Sequence, residues 1–226
     1  MTTTPPAFSF STIENFDEHI SSSIPRYEDL ISSILNLSPY FIEDDTNVYD
    51  LGCSTGKLLN NLKEKNISKS ASYYGLEIED NFIDKKIESK DVNIFKQNIN
   101  TYNGHNNASM ITSIFTLQFI PLKDRQDMID KIYNSLNKGG AFIFSEKVLS
   151  KHLKLQEIMT FQYYDFKRKT FTPEEILTKE NNLRNIMKPI TLQDNLSMLK
   201  SAGFSEFDIF WRNNNFLSIL AIKWTY

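Results

Sequence analysis

The amino-acid sequence predicts an α/β fold: a seven-stranded, mostly parallel sheet with helices on both faces, an antiparallel last strand and a helical insertion. Three observations carry this. Short apolar runs alternate with helical periodicity in the order β-α-β-α-β-β-α-β over residues 48–146. Those runs are too continuously apolar for a sheet with one wet face. Two more apolar runs near the C-terminus flank Asn213-Asn-Asn215, turn chemistry that makes a hairpin.

Residues 1–12 are polar, carry Pro5 and Pro6, and predict a start without regular structure. Residues 15–38 form an N-terminal helical region. There Ile20, Ile24, Tyr27, Leu30, Ile31, Ile34 and Leu35 recur at three- and four-residue steps, and Pro25 opens the second of two helices. A buried strand at 48–51 precedes a helix from residue 57. A second strand at 72–77 leads into a helix over 80–88, and a short third strand covers 92–95. A fourth strand, 110–115, precedes a helix over 123–136 with Met128, Ile129, Ile132 and Leu136 on one face. Asn137-Lys-Gly-Gly140 ends that helix as a glycine C-cap, and a fifth strand follows at 141–146.

Residues 147–190 break the alternation with an amphipathic helical insertion. It is rich in aromatics from Phe161 to Phe171, and Thr172-Pro-Glu-Glu175 has the cap, proline and acids of a helix start. A helix over 191–201 and strands at 207–211 and 216–224 complete the chain as one domain, 1–226.

Composition excludes several function classes. The 226 residues carry 25 Lys and Arg against 28 Asp and Glu, a net charge of −3. Counterion release on nucleic acid needs a surplus of cations, so no direct nucleic-acid contact is expected. No apolar run approaches the ~20 residues that span a bilayer, and Met1 to Phe10 lacks the basic and apolar regions of a signal peptide. A cytoplasmic protein without membrane contact is therefore expected. The single cysteine, Cys53, forbids an internal disulfide. His19, His105 and His152 are too scattered to suggest a metal.

Glycine is scarce, seven in the whole chain, so each one marks a backbone need. Two stand four residues apart in Asp50-Leu-Gly52-Cys-Ser-Thr-Gly56, between a strand end and a helix start. Open α/β sheets bind ligands at the carboxyl ends of their strands, where glycine lets the backbone come close. The loop lacks both the GxGxxG fingerprint and a Gly-Lys-Ser/Thr motif, since Leu58 follows Lys57. Alone it is also compatible with a structural turn. Glu77, at the end of the second strand about 20 residues on, stands where an acid grips two ribose hydroxyls; a helix-capping acid would stand there too. Asn98 and Ile99 follow the third strand, where an amide and an apolar side chain flank an adenine. Cys53 reads as a small buried residue beside a ligand.

Eight segments resemble one family closely: Val48-Tyr-Asp-Leu-Gly-Cys-Ser54, Asn107-Ala-Ser-Met110, Phe115-Thr-Leu-Gln-Phe119, Asp130-Lys-Ile-Tyr133, Leu136-Asn-Lys-Gly-Gly140, Ser145-Glu-Lys147, Asp165-Phe-Lys-Arg168 and Ala202-Gly-Phe204. They are similar to the carboxy-S-adenosylmethionine synthases, within the class I S-adenosylmethionine (SAM)-dependent methyltransferases of Rossmann-like fold. The similarity runs from about Phe16 to Trp224. It implies synthesis of carboxy-SAM from SAM and prephenate, for later carboxymethylation of a tRNA wobble uridine by another enzyme. It also implies SAM, S-adenosylhomocysteine or carboxy-SAM as ligand, held by Tyr27, Gly52, Cys53, Ser54, Glu77, Ile78, Asn98 and Ile99.

The chain departs from that family's pattern twice at the site. Ile114 replaces an asparagine at the end of the fourth strand. Glu180 replaces the arginine that holds the new carboxylate. The N-terminal region is also about ten residues shorter between Ile20 and Ser23. A glutamate ~4 Å from a carboxylate repels it by about 4 kcal/mol at an effective dielectric of ~20, roughly a thousandfold in affinity. That predicts a preference for plain SAM and no efficient carboxy-SAM synthesis. Arg184, one turn on, is the candidate replacement cation or an ordinary surface partner of Glu180; Lys179 and Arg168 are the next candidates. Lys167-Arg-Lys169 reads as a solvated stretch or part of a substrate lid. The expected function is therefore a SAM-dependent methyltransferase on an unknown small acceptor; a carboxy-SAM synthase and a non-catalytic SAM-binding partner are the alternatives. The aromatic insertion suggests a homodimer.

Overall fold

The computed structural model describes residues 16–224 except 88 and 90. The start expected to lack structure, residues 1–12, lies outside them. Helices α1 (Phe16–Ser23) and α2 (Tyr27–Leu37) come first, followed by a 3-10 turn at Ser38–Tyr40. Pro25 does not open α2. Arg26 takes φ of +57°, so the chain reverses there and helical geometry begins only at Tyr27.

The sheet elements then follow in the expected order. They are β1 (Asn47–Leu51), α3 (Lys57–Lys65), β2 (Ser72–Glu77), α4 (Asp80–Asp84), β3 (Val92–Lys96), β4 (Ala108–Ile114), α5 (Leu122–Ser135) and β5 (Leu136–Leu149). The insertion supplies α6 (Leu153–Lys167), α7 (Pro173–Arg184) and β6 (Ile190–Thr191). The chain ends with α8 (Leu192–Ala202), β7 (Glu206–Asn213) and β8 (Phe216–Ile222). The strand order is β3-β2-β1-β4-β5-β8-β7. It is parallel from β3 to β5, and β8 runs antiparallel to β5 and β7. The two-residue β6 pairs with the end of β5 and adds an eighth strand to the seven expected.

The alternation of side chains along the strands divides the core between two faces. Tyr49, Leu51, Ile111, Phe142 and Leu217 pack with Ile129 of α5 and Leu199 of α8. Val48, Met110 and Ile143 pack on the other face with Ile34 of α2, Leu59 of α3 and Tyr163 of α6. Among the described residues no helix is long and apolar enough to cross a membrane.

Three sequence expectations are corrected. Asn137–Gly140 is not a helix C-cap. Helix α5 ends in the extended residue Leu136, and the glycine segment already belongs to β5. Its backbone partners lie beyond β8: the Gly139 N–H donates to the Lys223 carbonyl, and the Lys223 N–H donates to Gly140. Helix α4 is one short turn ending at Asp84. Lys167 is not solvated; it is buried, with its ammonium over the Tyr163 and Phe171 rings.

Strand order reverses at β1 and β4, where β2 and β3 lie to one side and β5 to the other. That reversal opens a crevice at the carboxyl ends of the strands. One buried guanidinium holds the far wall in place. Arg125, 1% exposed, donates to the carbonyls of Ile120 (2.9 Å), Gln118 (3.1 Å) and Lys188 (2.7 Å). Lys188, just beyond α7, also donates its N–H to the Gln118 carbonyl. The buried Glu146 carboxyl is pushed up to about 8 by burial, and the Arg125 charge opposes that rise. Arg125→Met would strand the Ile120 and Lys188 carbonyls, at about 1–3 kcal/mol each. Urea denaturation should show a loss of about 2–6 kcal/mol; a wild-type midpoint would refute this account of the far wall.

Candidate active site

A cavity of about 480 Å³ fills the crevice, floored by the loops after β1 and β2 and covered by α1, α2 and α7. Tyr27, Gly52, Cys53, Ser54, Glu77, Ile78, Asn98 and Ile99 all line it, as does Glu180. Residues far apart in sequence are therefore gathered at one place by the parallel sheet.

The glycine loop is shaped by contact. Gly52 takes φ of +76°, and a Cβ there would stand 2.5 Å from Thr116 Oγ1. The Gly52 and Cys53 N–H groups donate to the Leu76 carbonyl at 2.8 and 3.1 Å, which ties the loop to the end of β2. Gly75 of β2 leaves room for Cys53: a Cβ on it would meet Sγ at 2.5 Å. Burial, with the charges of Asp50 and Glu77, pushes the Cys53 thiol up, so it is a packed thiol and no nucleophile.

Glu77 does more than present an acid. Its Oε2 accepts from Ser54 N–H (2.8 Å), and its Oε1 accepts from Ile78 (2.7 Å) and Glu79 (3.0 Å). The carboxylate thus staples the glycine loop to the turn after β2. Burial raises its pKa, and the three backbone donors oppose the rise. The hydroxyls of Ser54 and Thr55 line the same cavity, buried and without a protein partner. They suit the polar tail of a ligand such as SAM, whose carboxylate and ammonium would satisfy them.

Asp50 also lines this floor, and the sequence reading did not single it out. Its carboxyl accepts from Thr112 Oγ1 at 2.7 Å. Burial pushes it up to about 7; the Thr112 hydrogen bond opposes this and the Glu77 charge adds to it. Its place at the strand end, two residues before Gly52, was the available signal.

The opposite end of the cavity is cationic. Lys147, in β5 opposite Phe216 of β8, faces Glu180 of α7 at 3.8 Å and lies over the Tyr163 ring. Lys179 contacts His19 Nε2 and donates to Ser23 Oγ at 3.2 Å. The charges of Lys167 and Glu180 both act on it. Burial and the Lys167 charge bring Lys179 down to about 7, while Glu180 holds it up. Burial, with Lys179 and Lys167, brings His19 to about 4, so the imidazole is neutral. Glu180 therefore stands among three lysines, and its partner is Lys147 rather than Arg184. Arg184 is exposed and lines a separate, smaller cavity. Arg168 is exposed and pairs with Asp165 at 3.4 Å, away from both cavities. Ile114 lines the large cavity with an apolar side chain.

Known proteins share this frame. The methyltransferase-domain family matches residues 49–142. The carboxy-S-adenosyl-L-methionine synthase of Staphylococcus epidermidis is 40% identical over 94% of this chain and 94% of its own length. The enzyme of that name from Shewanella baltica is 32% identical, over 92% of this chain and 88% of its own. The chain belongs to the carboxy-S-adenosyl-L-methionine synthase family. Its fold is also that of human N-acetylserotonin methyltransferase in complex with SAM, at a TM-score of 0.60 and 16% identity, over 86% of this chain and 52% of that one. This family member is a SAM-dependent transferase of Rossmann-like methyltransferase fold, with SAM as its cofactor or substrate.

Glu77→Ala should remove the staple together with the cavity's acid. Calorimetry with S-adenosylhomocysteine should show affinity lower by about 1.5–3 kcal/mol, the range for a hydrogen bond to a charged group. Unchanged affinity would remove Glu77 from the binding site.

Proposed function

We propose that the chain makes carboxy-SAM from SAM and a carboxylate donor, prephenate in the reaction its family implies, and that the large cavity is the SAM site. The observation that carries this reading is the surroundings of Glu180. The charge reversal at that position pointed to repulsion of a carboxylate. Lys147 and Lys179 line the cavity beside Glu180, and the Lys167 charge acts from behind them, so once an arriving anion holds the proton on Lys179 the cations at this end outnumber the one anion and attract a carboxylate.

When bound, SAM would supply a sulfonium that acidifies its methyl group, and prephenate, losing CO2 and hydroxide as it aromatises to phenylpyruvate, would supply both the carboxyl group and the base that takes the methyl proton away as water. The chain's residues do the rest. Glu77 Oε2 accepts one backbone bond and retains capacity for a ribose hydroxyl. Asn98 and Ile99 flank the base. Asp50, Ser54 and Thr55 take the amino-acid tail. Lys147 and Lys179 hold the carboxylate, and the roof of α1, α2 and α7 keeps water from these charges. Lys179, near 7 without ligand, is drawn to its protonated form by an arriving anion.

A second reading, methyl transfer to a small anionic acceptor, is favoured by one observation. No arginine lines the large cavity, so the planar fork that best grips a carboxylate is missing. Incubation with SAM and prephenate, followed by mass spectrometry of the nucleosides, separates the readings. Carboxy-SAM is expected. Lys147→Met and Lys179→Met should each lower its yield by about ten- to 150-fold, the equivalent of 1.5–3 kcal/mol. Affinity for carboxy-SAM should fall as pH rises from 7 to 9, by up to about tenfold per unit, because free Lys179 loses its proton in that window. S-adenosylhomocysteine formed only with an acceptor would establish methyl transfer instead. No turnover with any acceptor would leave a non-catalytic SAM-binding partner.

We further propose a cytoplasmic homodimer of single-domain chains, joined partly through the insertion. Leu153, Phe161 and Leu177 on α6 and α7 are 86%, 56% and 61% exposed, apolar surface that a partner copy would cover. Light scattering at micromolar concentration should return twice the 26.3 kDa chain mass; a monomer mass would overturn this.

A further inference from the structure

Beside the large cavity lies a second one of about 240 Å³. Lys147, Tyr163, Glu180, Leu183 and Met187 line both, so the two share a wall with the Lys147–Glu180 pair in it. Asn215, in the turn before β8, also lines the smaller cavity, and its carbonyl accepts from the Val148 N–H beside Lys147. This asparagine is 1% exposed, and neither its Oδ1 nor its Nδ2 has a hydrogen-bond partner. A buried amide with both ends unpaired is unfavourable by about 1–3 kcal/mol for each group. Such orphans mark a place where a ligand or water completes the network. Arg184 lies on the same cavity and supplies a guanidinium that the large cavity lacks. Leu149, Pro189 and the Tyr164 ring give part of the remaining lining an apolar character, and Gln156 and Thr160 add polar groups to it.

We propose that this smaller cavity binds the second substrate, a small carboxylic acid with an apolar body and a hydroxyl or keto oxygen. Arg184 takes the carboxylate. Asn215 donates to one oxygen of the ligand and accepts from a hydroxyl. Lys147 is within reach of ligands on both sides of the wall. The volume is below the ~300–1,000 Å³ of sites for drug-sized molecules, so the occupant has the size of a small metabolite. The binding site stands on Asn215, Arg184 and the shared wall; its assignment to the second substrate rests on the carboxy-SAM reading.

The test is calorimetry on the full chain saturated with S-adenosylhomocysteine, so that the large cavity is filled. Phenylpyruvate and prephenate are the probes. Both acids should bind, and Asn215→Ala and Arg184→Ala should each weaken them by about tenfold or more. Affinity for S-adenosylhomocysteine should stay within about twofold of wild type, an energy difference well under 1 kcal/mol. Arg184 is exposed, so its variant keeps the test decisive even where Asn215→Ala fails to fold. Failure of both acids to bind, or binding unchanged in both variants, overturns the site. If carboxy-SAM forms with an unchanged KM for prephenate in both variants, the smaller cavity has no part in the reaction and the large-cavity reading survives. If the acids bind through Asn215 and Arg184 but no carboxy-SAM forms, the site survives and its assignment to that reaction is overturned.

Discussion

The active end of this molecule depends on one guanidinium. Arg125 lies on a helix of the sheet's opposite face, yet its donors reach the loop after β4 and the chain just beyond α7. The Gln118 carbonyl accepts from both Arg125 and Lys188. The insertion is thereby pinned to the sheet at the point where α7 must present Lys179 and Glu180. A lysine here would supply one compact charge in place of a planar fork with fixed directions. Three carbonyls from two separate segments converge, and the fork's geometry selects their spacing. Gln118 belongs to the Phe115-Thr-Leu-Gln-Phe119 segment that resembles the carboxy-SAM synthases, and Arg125 holds that stretch at its end.

The cavity has two ends of opposite chemistry. At one end, buried carboxyls at Asp50 and Glu77 are tied to backbone and hydroxyl donors. At the other, three lysines compete for one glutamate; burial lowers the proton affinity of each, neighbouring lysines lower Lys167 and Lys179 further, and Glu180 opposes the fall in all three. A sulfonium nucleoside with an amino-acid tail and an anionic group suits such a gradient. Glu180 then tempers the lysines, which without it would form an uncompensated buried cationic patch. Replacement of one charged side chain by its opposite is thus absorbed by its neighbours.

Much of this was legible in the sequence. The alternation of apolar runs gave the sheet, and the Asn-rich turn gave the hairpin. The glycine loop and Glu77 located the ligand's side of the sheet, because strand ends and sequence spacing fix those positions locally. What stayed hidden depends on long-range packing. Lys147 and Lys179 are 32 residues apart, and the placing of α7 between α1 and β5 brings both to Glu180. Lys167 looked solvated because its neighbours Arg168 and Lys169 are; its burial follows from which face of α6 meets Tyr163 and Phe171. The glycine pair at 139–140 looked like a helix end because helix stops and strand irregularities favour the same residue. Arg184 was assigned by helical spacing to the right helix but to the wrong cavity, since one turn is enough to carry a side chain across the shared wall.

The contact between Gly75 and Cys53 bears on how this loop can change over generations. The sulfur occupies the space a β-carbon would need, so the two positions share room for a single small side chain. An alanine at Gly75 is sterically admissible only alongside a reduction at Cys53 and a shift of Leu59, whose Cδ1 would stand 2.9 Å from the new carbon. The pair should drift together or stay fixed, with compensating substitutions arising in a set order: the cysteine shrinks first and the glycine grows second. The reverse order passes through an overpacked intermediate, destabilised by about 1–3 kcal/mol. A lineage that abandons the thiol for reasons of oxidation gains a wider choice in the middle of the neighbouring strand only once Leu59 also yields.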